Sequence, residues 1–331
     1  MKVLSVVTTR AGGPEVLELK TAEVSRDTNM ALVRVAAASV GNAEIDMMHG
    51  RFYKQPRFPF VGGYDLVGTV VDGPADLVGT TVAAMPRLGA WASHVQLPAA
   101  DLVAVPDGLS PAAAVALVTN GVTAWQMVHR VARVRSGQTV LVQGAAGAVG
   151  SLLCVFAAAA GARMIGTASP ARHDEVRALG AHPIDYRDNV AAAVRAIAPA
   201  GVDAVFDHRA GAGLATLFGL LGRDGTLVAY GADADTGSGP PLRPYLRMLA
   251  WFGLHDLRRV LGVGRGRRGR LYNVTPDRRF RADLATVLAL AATGGITVPV
   301  STYPLADAAR AVRDRLDGTS TGKQVLLMPD V

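Results

Sequence analysis

The chain has 331 residues, and 34 Lys+Arg against 27 Asp+Glu give a net charge of +7; half of it is hydrophobic and 18% is charged. That is apolar material for a real core and length for two domains or one large one, which excludes wholesale disorder. One cysteine, Cys154, excludes a disulfide framework and a cysteine-rich zinc module. No apolar run approaches the roughly 18 residues of a bilayer span. The start, Met1-Lys2-Val3-Leu4, lacks the long apolar core of a signal peptide, so the expected location is cytoplasmic.

The first hundred residues read as β. Lys2–Thr8, Leu17–Ala22, Met30–Ala38, Leu66–Val71 and Thr80–Met85 are β-rich runs separated by Gly, Pro and Asp. No long amphipathic helix is expected before Ser110-Pro111-Ala112, which reads as an N-cap with proline at the first helical position. Apolar residues then run on to about Val134. Strand and helix alternate from there: Thr139–Gln143, Arg163–Thr167, Pro183–Asp185, Asp203–Phe206 and Thr226–Tyr230 as strands, with helices at Gly147–Ala160, Pro170–Leu179, Asn189–Ile197 and Gly213–Leu221. Apolar strands alternating with helices predict a parallel sheet covered on both faces. Asp233–Pro241 reads as a loop, Pro244–Leu261 as an amphipathic helix and Leu271–Thr275 as one more strand. Helices at Asp283–Ala292 and Ala306–Leu316 and a closing strand, Lys323–Met328, complete the chain.

The most informative segment is Val140-Leu141-Val142-Gln143-Gly144-Ala145-Ala146-Gly147-Ala148-Val149-Gly150. It follows a strand and opens a helix. Glycines there let the backbone turn tightly and approach a pyrophosphate, and the helix N-terminus offers free N–H groups to the phosphates. Ala145, Gly147, Ala148, Val149 and Gly150 are therefore expected to bind a dinucleotide. Enzymes that take NAD usually carry an acid at the end of the second strand. Here that position reads Thr167-Ala168-Ser169-Pro170-Ala171-Arg172. A hydroxyl from Ser169 and a guanidinium from Arg172 suit a 2′-phosphate, so NADPH is the expected cofactor.

Gly12-Gly13-Pro14-Glu15-Val16-Leu17, Phe58–Gly68, Asn120-Gly121-Val122-Thr123-Ala124, the Ala145–Gly150 turn, Leu179-Gly180-Ala181 with Ile184-Asp185-Tyr186, Val202–Asp207 and Gly322-Lys323 occur in an order and spacing that is highly specific. On them the chain resembles the zinc-independent quinone-oxidoreductase branch of the medium-chain dehydrogenase/reductase superfamily. The resemblance implies a Rossmann-like parallel sheet at 116–275 and a β-rich, GroES-like catalytic domain built from 1–115 and 276–331. It implies a homodimer, a small-molecule substrate and reduction of quinones or α,β-unsaturated carbonyl compounds by NADPH. Metal-dependent relatives place a catalytic Cys where Gly41 stands and a His where Tyr64 stands, so no metal is expected. Tyr64, Asn120 and Thr123 are implied as catalytic, and Glu44 and Tyr53 as lining the substrate. Glu44 also falls where a carboxylate organises the Gly62–Asp65 loop. Tyr186, Tyr230 and Lys323 are implied to contact the cofactor. His49 and His94 are read as lone histidines without a catalytic role.

The chain departs from the family pattern at Gly41 and at His208-Arg209-Ala210-Gly211, beside the expected cofactor groove. Two other readings therefore stay open. One is a repurposed cleft performing non-redox chemistry such as a cyclisation. The other is binding of nucleic acid through the Gly-spaced arginines of Arg258–Arg270. No aromatic residue is interleaved within that strip, which disfavours single-strand stacking.

Overall fold

The computed structural model describes residues 1–211, 213–231, 243–261, 266–320 and 322–329, apart from the side chains at 243–245 and 259. The expected loop at Asp233–Pro241 lies outside the described residues. The chain divides into two units, Met1–Val122 with Val274–Val331, and Thr123–Asn273.

The first unit begins with β1 (Lys2–Thr8), β2 (Leu17–Glu23) and β3 (Ala31–Ser39), followed by a helix that propensity did not signal, α1 (Asn42–Met48). Next come β4 (Phe60–Val61), β5 (Leu66–Asp72), β6 (Thr81–Ala84), β7 (His94–Leu97) and β8 (Val103–Ala104). At α2 (Pro111–Gln126) the texture changes, as the Ser110-Pro111 signal indicates: Ser110 Oγ accepts the Ala113 N–H at 3.2 Å. The division between the units falls inside this helix, which runs on as a π-type turn over Met127–Ala132.

The second unit is a regular βα alternation. Its strands are β9 (Thr139–Val142), β10 (Arg163–Ala168), β11 (Ala181–Asp185), β12 (Val202–Asp207), β13 (Leu221–Ala229) and β14 (Arg268–Leu271). Its helices are α3 (Ala148–Ala159), α4 (His173–Ala178), α5 (Val190–Ile197), α6 (Leu214–Gly219) and α7 (Arg243–Val260). All strand pairs are parallel, in the order β11-β10-β9-β12-β13-β14. The order reverses at β9, and in such sheets ligands bind beyond the carboxyl ends of the strands at that point. Leu141, Val205 and Leu227 are fully buried in the strands, matching their uninterrupted apolar character.

The chain then returns to the first unit through α8 (Arg278–Ala292), β15 (Val300–Pro304), α9 (Ala308–Leu316) and β16 (Lys323–Leu327). β16 inserts beside β3, so a sheet ordered β15-β16-β3-β5-β6-β8 is assembled from both ends of the chain.

Two expectations are corrected. The last strand of the parallel sheet is Arg268–Leu271, not Leu271–Thr275. Pairing with the buried Thr226–Ala229 segment overrides the low β-propensity of Arg and Gly, and Gly269 is needed because a Cβ there would run into the Phe252 ring of α7. Arg268–Arg270 are accordingly a paired strand rather than a loose strip; Arg265 lies outside the described residues. The helix expected at Asp283 starts at Arg278, because the Asp277 carboxylate caps it by accepting the Phe280 N–H at 2.8 Å.

Leu141 is the test of the parallel core. Leu141→Ala should cost about 2–5 kcal/mol, read as a lower urea midpoint for the second unit. An unchanged midpoint would contradict the packing described.

Candidate active site

Burial dictates the chemistry of the first unit. Glu44, Asp65 and Lys323 are 4%, 0% and 3% exposed, and buried charges must be compensated. Asp65 accepts the Ser39 hydroxyl at 2.5 Å and the Ser39 N–H at 3.3 Å through one oxygen, and the Thr119 N–H at 3.2 Å through the other. It thereby joins the end of β3 to α2. Glu44 accepts the Gly41 N–H at 3.0 Å and the Tyr64 N–H at 2.8 Å. It is the organiser of the loop that carries Tyr64.

Gly41 makes room for this arrangement. A Cβ there would stand 3.1 Å from Glu44 Oε2 and 3.3 Å from Lys323 Nζ. Burial pushes the Glu44 carboxyl above the usual carboxylate range, with Lys323 opposing, and burial pushes the Lys323 ammonium down, with Asp65 opposing.

Tyr64 is 5% exposed. Its phenol accepts from Arg87 Nε at 3.3 Å, and Arg87 Nη2 reaches the Tyr53 hydroxyl at 3.2 Å. Phe52 packs its ring 4.7 Å from Tyr53 and 6.5 Å from Tyr64. Burial raises the Tyr64 pKa, and the Arg87 hydrogen bond opposes that. Arg87 was not anticipated from the sequence. It is a non-glycine residue at φ +72°, a left-handed conformation that carries strain and concentrates at functional sites. Only its polar place in the Pro86–Gly89 loop could have flagged it. His49 and His94 bind locally, to the Ile45 carbonyl and the Ser93 hydroxyl.

The second unit presents the Gly-rich turn. Gly144 (φ +65°) donates to Thr167 Oγ1 at 3.0 Å, and the Ala145 N–H donates to the Thr167 carbonyl at 2.9 Å. A Cβ on Gly147 would stand 3.1 Å from the Gly144 carbonyl oxygen, and one on Gly150 would stand 2.8 Å from the Gly144 carbonyl carbon. No side chain caps α3, so the N–H groups of its first turn, Ala148, Val149 and Gly150, have no partner in the helix. This is a cradle that side chains would fill, and it fits the pyrophosphate of a nicotinamide dinucleotide.

Around the cradle, Ser169 follows β10 and precedes a short 3-10 turn containing Arg172. Arg172 holds Glu175 through two hydrogen bonds, at 3.0 and 2.6 Å. Tyr186, half exposed, follows β11, and Tyr230 follows β13. The His208 ring lies against Gly144, 2.8 Å from the position of a Cβ there, and 6.3 Å from the Tyr230 ring; its Nδ1 is buried without a hydrogen-bond partner. Asp207, 2% exposed, accepts the Arg209 and Ala210 N–H groups, both at 3.1 Å. Cys154 is buried in α3, where desolvation pushes its thiol up to about 12. Asn120 and Thr123 are one helical turn apart on α2. Among the described residues no group of three or more His, Cys, Asp or Glu is arranged to hold a metal ion, and no helix is long and apolar enough to cross a membrane.

Residues 27–107 match the alcohol dehydrogenase GroES-like domain and residues 179–326 the zinc-binding dehydrogenase family. The chain belongs to the medium-chain dehydrogenase/reductase superfamily. Superfamily oxidoreductases use a nicotinamide cofactor, in keeping with the cradle. A mycobacterial quinone oxidoreductase shares 28% identity, with a TM-score of 0.78 over 98% of this chain and 99% of that one. The cyclopropanase from the curacin A biosynthetic pathway shares the fold, with a TM-score of 0.83 at 22% identity over 99% of each chain. A mycocerosic acid synthase-like polyketide synthase of Mycobacterium tuberculosis is 34% identical over 90% of this chain; the chain spans only 14% of that protein's length.

Removing the buried ammonium tests the charge cluster. Lys323→Met removes the ammonium that opposes the charge of Glu44 and Asp65, leaving them their hydrogen bonds and, for Glu44, the Arg315 guanidinium, and should cost about 3–5 kcal/mol at neutral pH. Because the folded-state pKa of Glu44 is raised, its neutral form is the one favoured by folding. Its contribution is therefore lost as pH climbs above the ordinary carboxylate range, at about 4.3. The variant should widen that window, so its deficit in urea midpoint should be smaller at acidic than at neutral pH. Equal deficits at both would contradict the assignment.

Proposed function

We propose that this chain is an NADPH-dependent reductase of quinones or α,β-unsaturated carbonyl compounds that works without a metal. The observation that carries the reading is the Tyr64 phenol, buried and held by Arg87 at the position where metal-dependent relatives carry a ligand. Bound at the cradle, the nicotinamide would supply a hydride to the β carbon of an enone or to a quinone. The protein's part is binding and electrostatics. Free N–H groups of α3 hold the pyrophosphate, Ser169 and Arg172 take the 2′-phosphate, and Tyr186 and Tyr230 flank the nucleotide. Asn120 and Thr123 position the reacting ring.

Tyr64 donates its hydroxyl hydrogen to the substrate oxygen as negative charge develops there, and Arg87 strengthens that donor by its charge. Donors aimed at developing charge in a water-poor site are worth far more than in solution. Tyr53 closes the substrate side, and water supplies the remaining proton. Lys323 and Glu44 hold the Tyr64 loop in register. The likeness to quinone oxidoreductases supports a quinone, and the likeness to polyketide synthases supports an unsaturated carbonyl substrate. A homodimer, as the resemblance implies, completes the reading. His208 against Gly144 motivates the second reading, a cleft turned to non-redox chemistry.

Oxidation of NADPH at 340 nm against a panel of quinones and enones, with a chelator present, tests this. Tyr64→Phe should slow turnover about a hundredfold while leaving NADPH affinity near wild type. No oxidation with any substrate, together with no nucleotide binding, would end the reading and favour the non-redox cleft.

Cofactor choice has its own test. The Arg172–Glu175 pair is solvent-exposed, and such pairs hold by about 0.2–1 kcal/mol. Glu175→Gln should therefore free Arg172 and tighten NADPH a few-fold by calorimetry, with NADH unchanged. Wild-type protein binding NADH as tightly as NADPH would overturn the preference.

A further inference from the structure

A cleft of about 660 Å³ lies wholly within the second unit, lined by Arg130, Arg133, Arg135, Arg268, Arg270 and Asp224 among others. Its walls come from the turn before β9, the first half of β13 and the start of β14. The Gly144–Gly150 turn, Tyr186 and Tyr230 follow the carboxyl ends of their strands. In a parallel sheet the cleft therefore opens at the opposite edge from the dinucleotide cradle.

Five arginines and one carboxylate line it, and Arg130 has an interaction of its own. Arg270 is engaged by Asp256 at 2.7 Å. Arg133, Arg135 and Arg268 are exposed and enter no ion pair among the described residues. Like charges converging on one concavity repel, and the protein tolerates this only where solvent or an anion screens it. Two of the lining residues, Arg133 at φ +52° and Asp224 at φ +59°, hold left-handed backbone without being glycine. Arg133 does so as the C-cap of the Met127–Ala132 turn. The volume suits a small molecule. Among the described residues no aromatic side chain lines the cleft, so bases of a nucleic-acid strand would find nothing there to stack on.

We propose that this cleft is a second anion site, taking a small ligand with two adjacent phosphate groups, such as inorganic pyrophosphate or the diphosphate of a nucleotide. Guanidinium forks match phosphate oxygens in geometry as well as charge, and adjacent phosphates let several forks act on one ligand. The assignment is independent of the reductase reading.

The test is calorimetric titration of the full chain with pyrophosphate and, separately, with ADP. The variant combines Arg133→Gly, which keeps the left-handed backbone, with Arg135→Gln and Arg268→Gln. All three side chains are exposed, so the fold should survive, and an unchanged melting curve checks that. Wild type should bind pyrophosphate saturably, also with excess NADPH present, and the variant should bind at least about tenfold more weakly. A gain for ADP over pyrophosphate would assign the natural ligand to the nucleotides; equal affinity would assign it to the diphosphate alone. A control carrying Arg177→Gln, Arg195→Gln and Arg313→Gln should bind as wild type does. The proposal is overturned if wild type shows no saturable binding, if the cleft variant binds as tightly as wild type, or if the control loses as much. NADPH affinity should be the same in wild type and the cleft variant; failure of NADPH to bind either would touch only the reductase reading.

Discussion

Two carboxylates taken out of water have to find donors, and where Glu44 and Asp65 find theirs determines how the first unit is put together. Asp65 has no exposed surface, and it spends both oxygens on Ser39 and on the Thr119 N–H. A strand end, a loop and the helix that carries Asn120 are thereby held to one point. Glu44 does the same for the N-terminus of α1 and the loop bearing Tyr64. Lys323, delivered by the last strand of the chain, balances the charge, which requires both chain ends to close on one sheet. The hydrogen bonds and the topology are two views of one constraint.

The second unit answers a different requirement. A backbone that approaches a pyrophosphate closely cannot carry side chains at the point of approach. Gly147 and Gly150 leave no Cβ against the Gly144 carbonyl, so the turn closes tightly at the start of α3. Gly166 does the same one layer further in, where a Cβ would collide with Ala145 and Val176. His208 is the local novelty. Its ring occupies the space that Gly144 leaves open and brings a buried, unpaired nitrogen to the mouth of the turn.

Much of this was legible in the sequence, for physical reasons. Uninterrupted apolar strands alternating with helices dictate a parallel sheet, and the Gly-rich turn declares its place at the β9–α3 junction. Ser110-Pro111 marked the start of α2 to the residue. What was hidden depended on partners far along the chain. Arg268-Gly269-Arg270 has little strand character alone and becomes a strand against β13, with Phe252 over Gly269. Helix α1 is only seven residues long and is held by the Glu44 carboxylate on the Gly41 N–H. Arg87 gave little signal beyond its polar place in a loop, because its role comes from two tyrosines, 34 and 23 residues earlier, that the fold brings to it. The arginine cleft was invisible for the same reason: Arg133 and Arg135 are distant in sequence from Arg268 and Arg270, and only the sheet joins them.

The central claim is the proposed metal-free hydride transfer, by a chain with Gly41 and Tyr64 where the resemblance places the ligands of metal-dependent relatives. It is tested most directly by following an isotope. Metal-stripped protein is supplied with NADPH carrying deuterium at both C4 positions and an enone in ordinary water, and the product is examined by mass spectrometry and NMR. The account predicts one deuterium at the β carbon and a solvent proton at the α carbon. Product carrying no deuterium, or deuterium transfer only after zinc is restored, would contradict it.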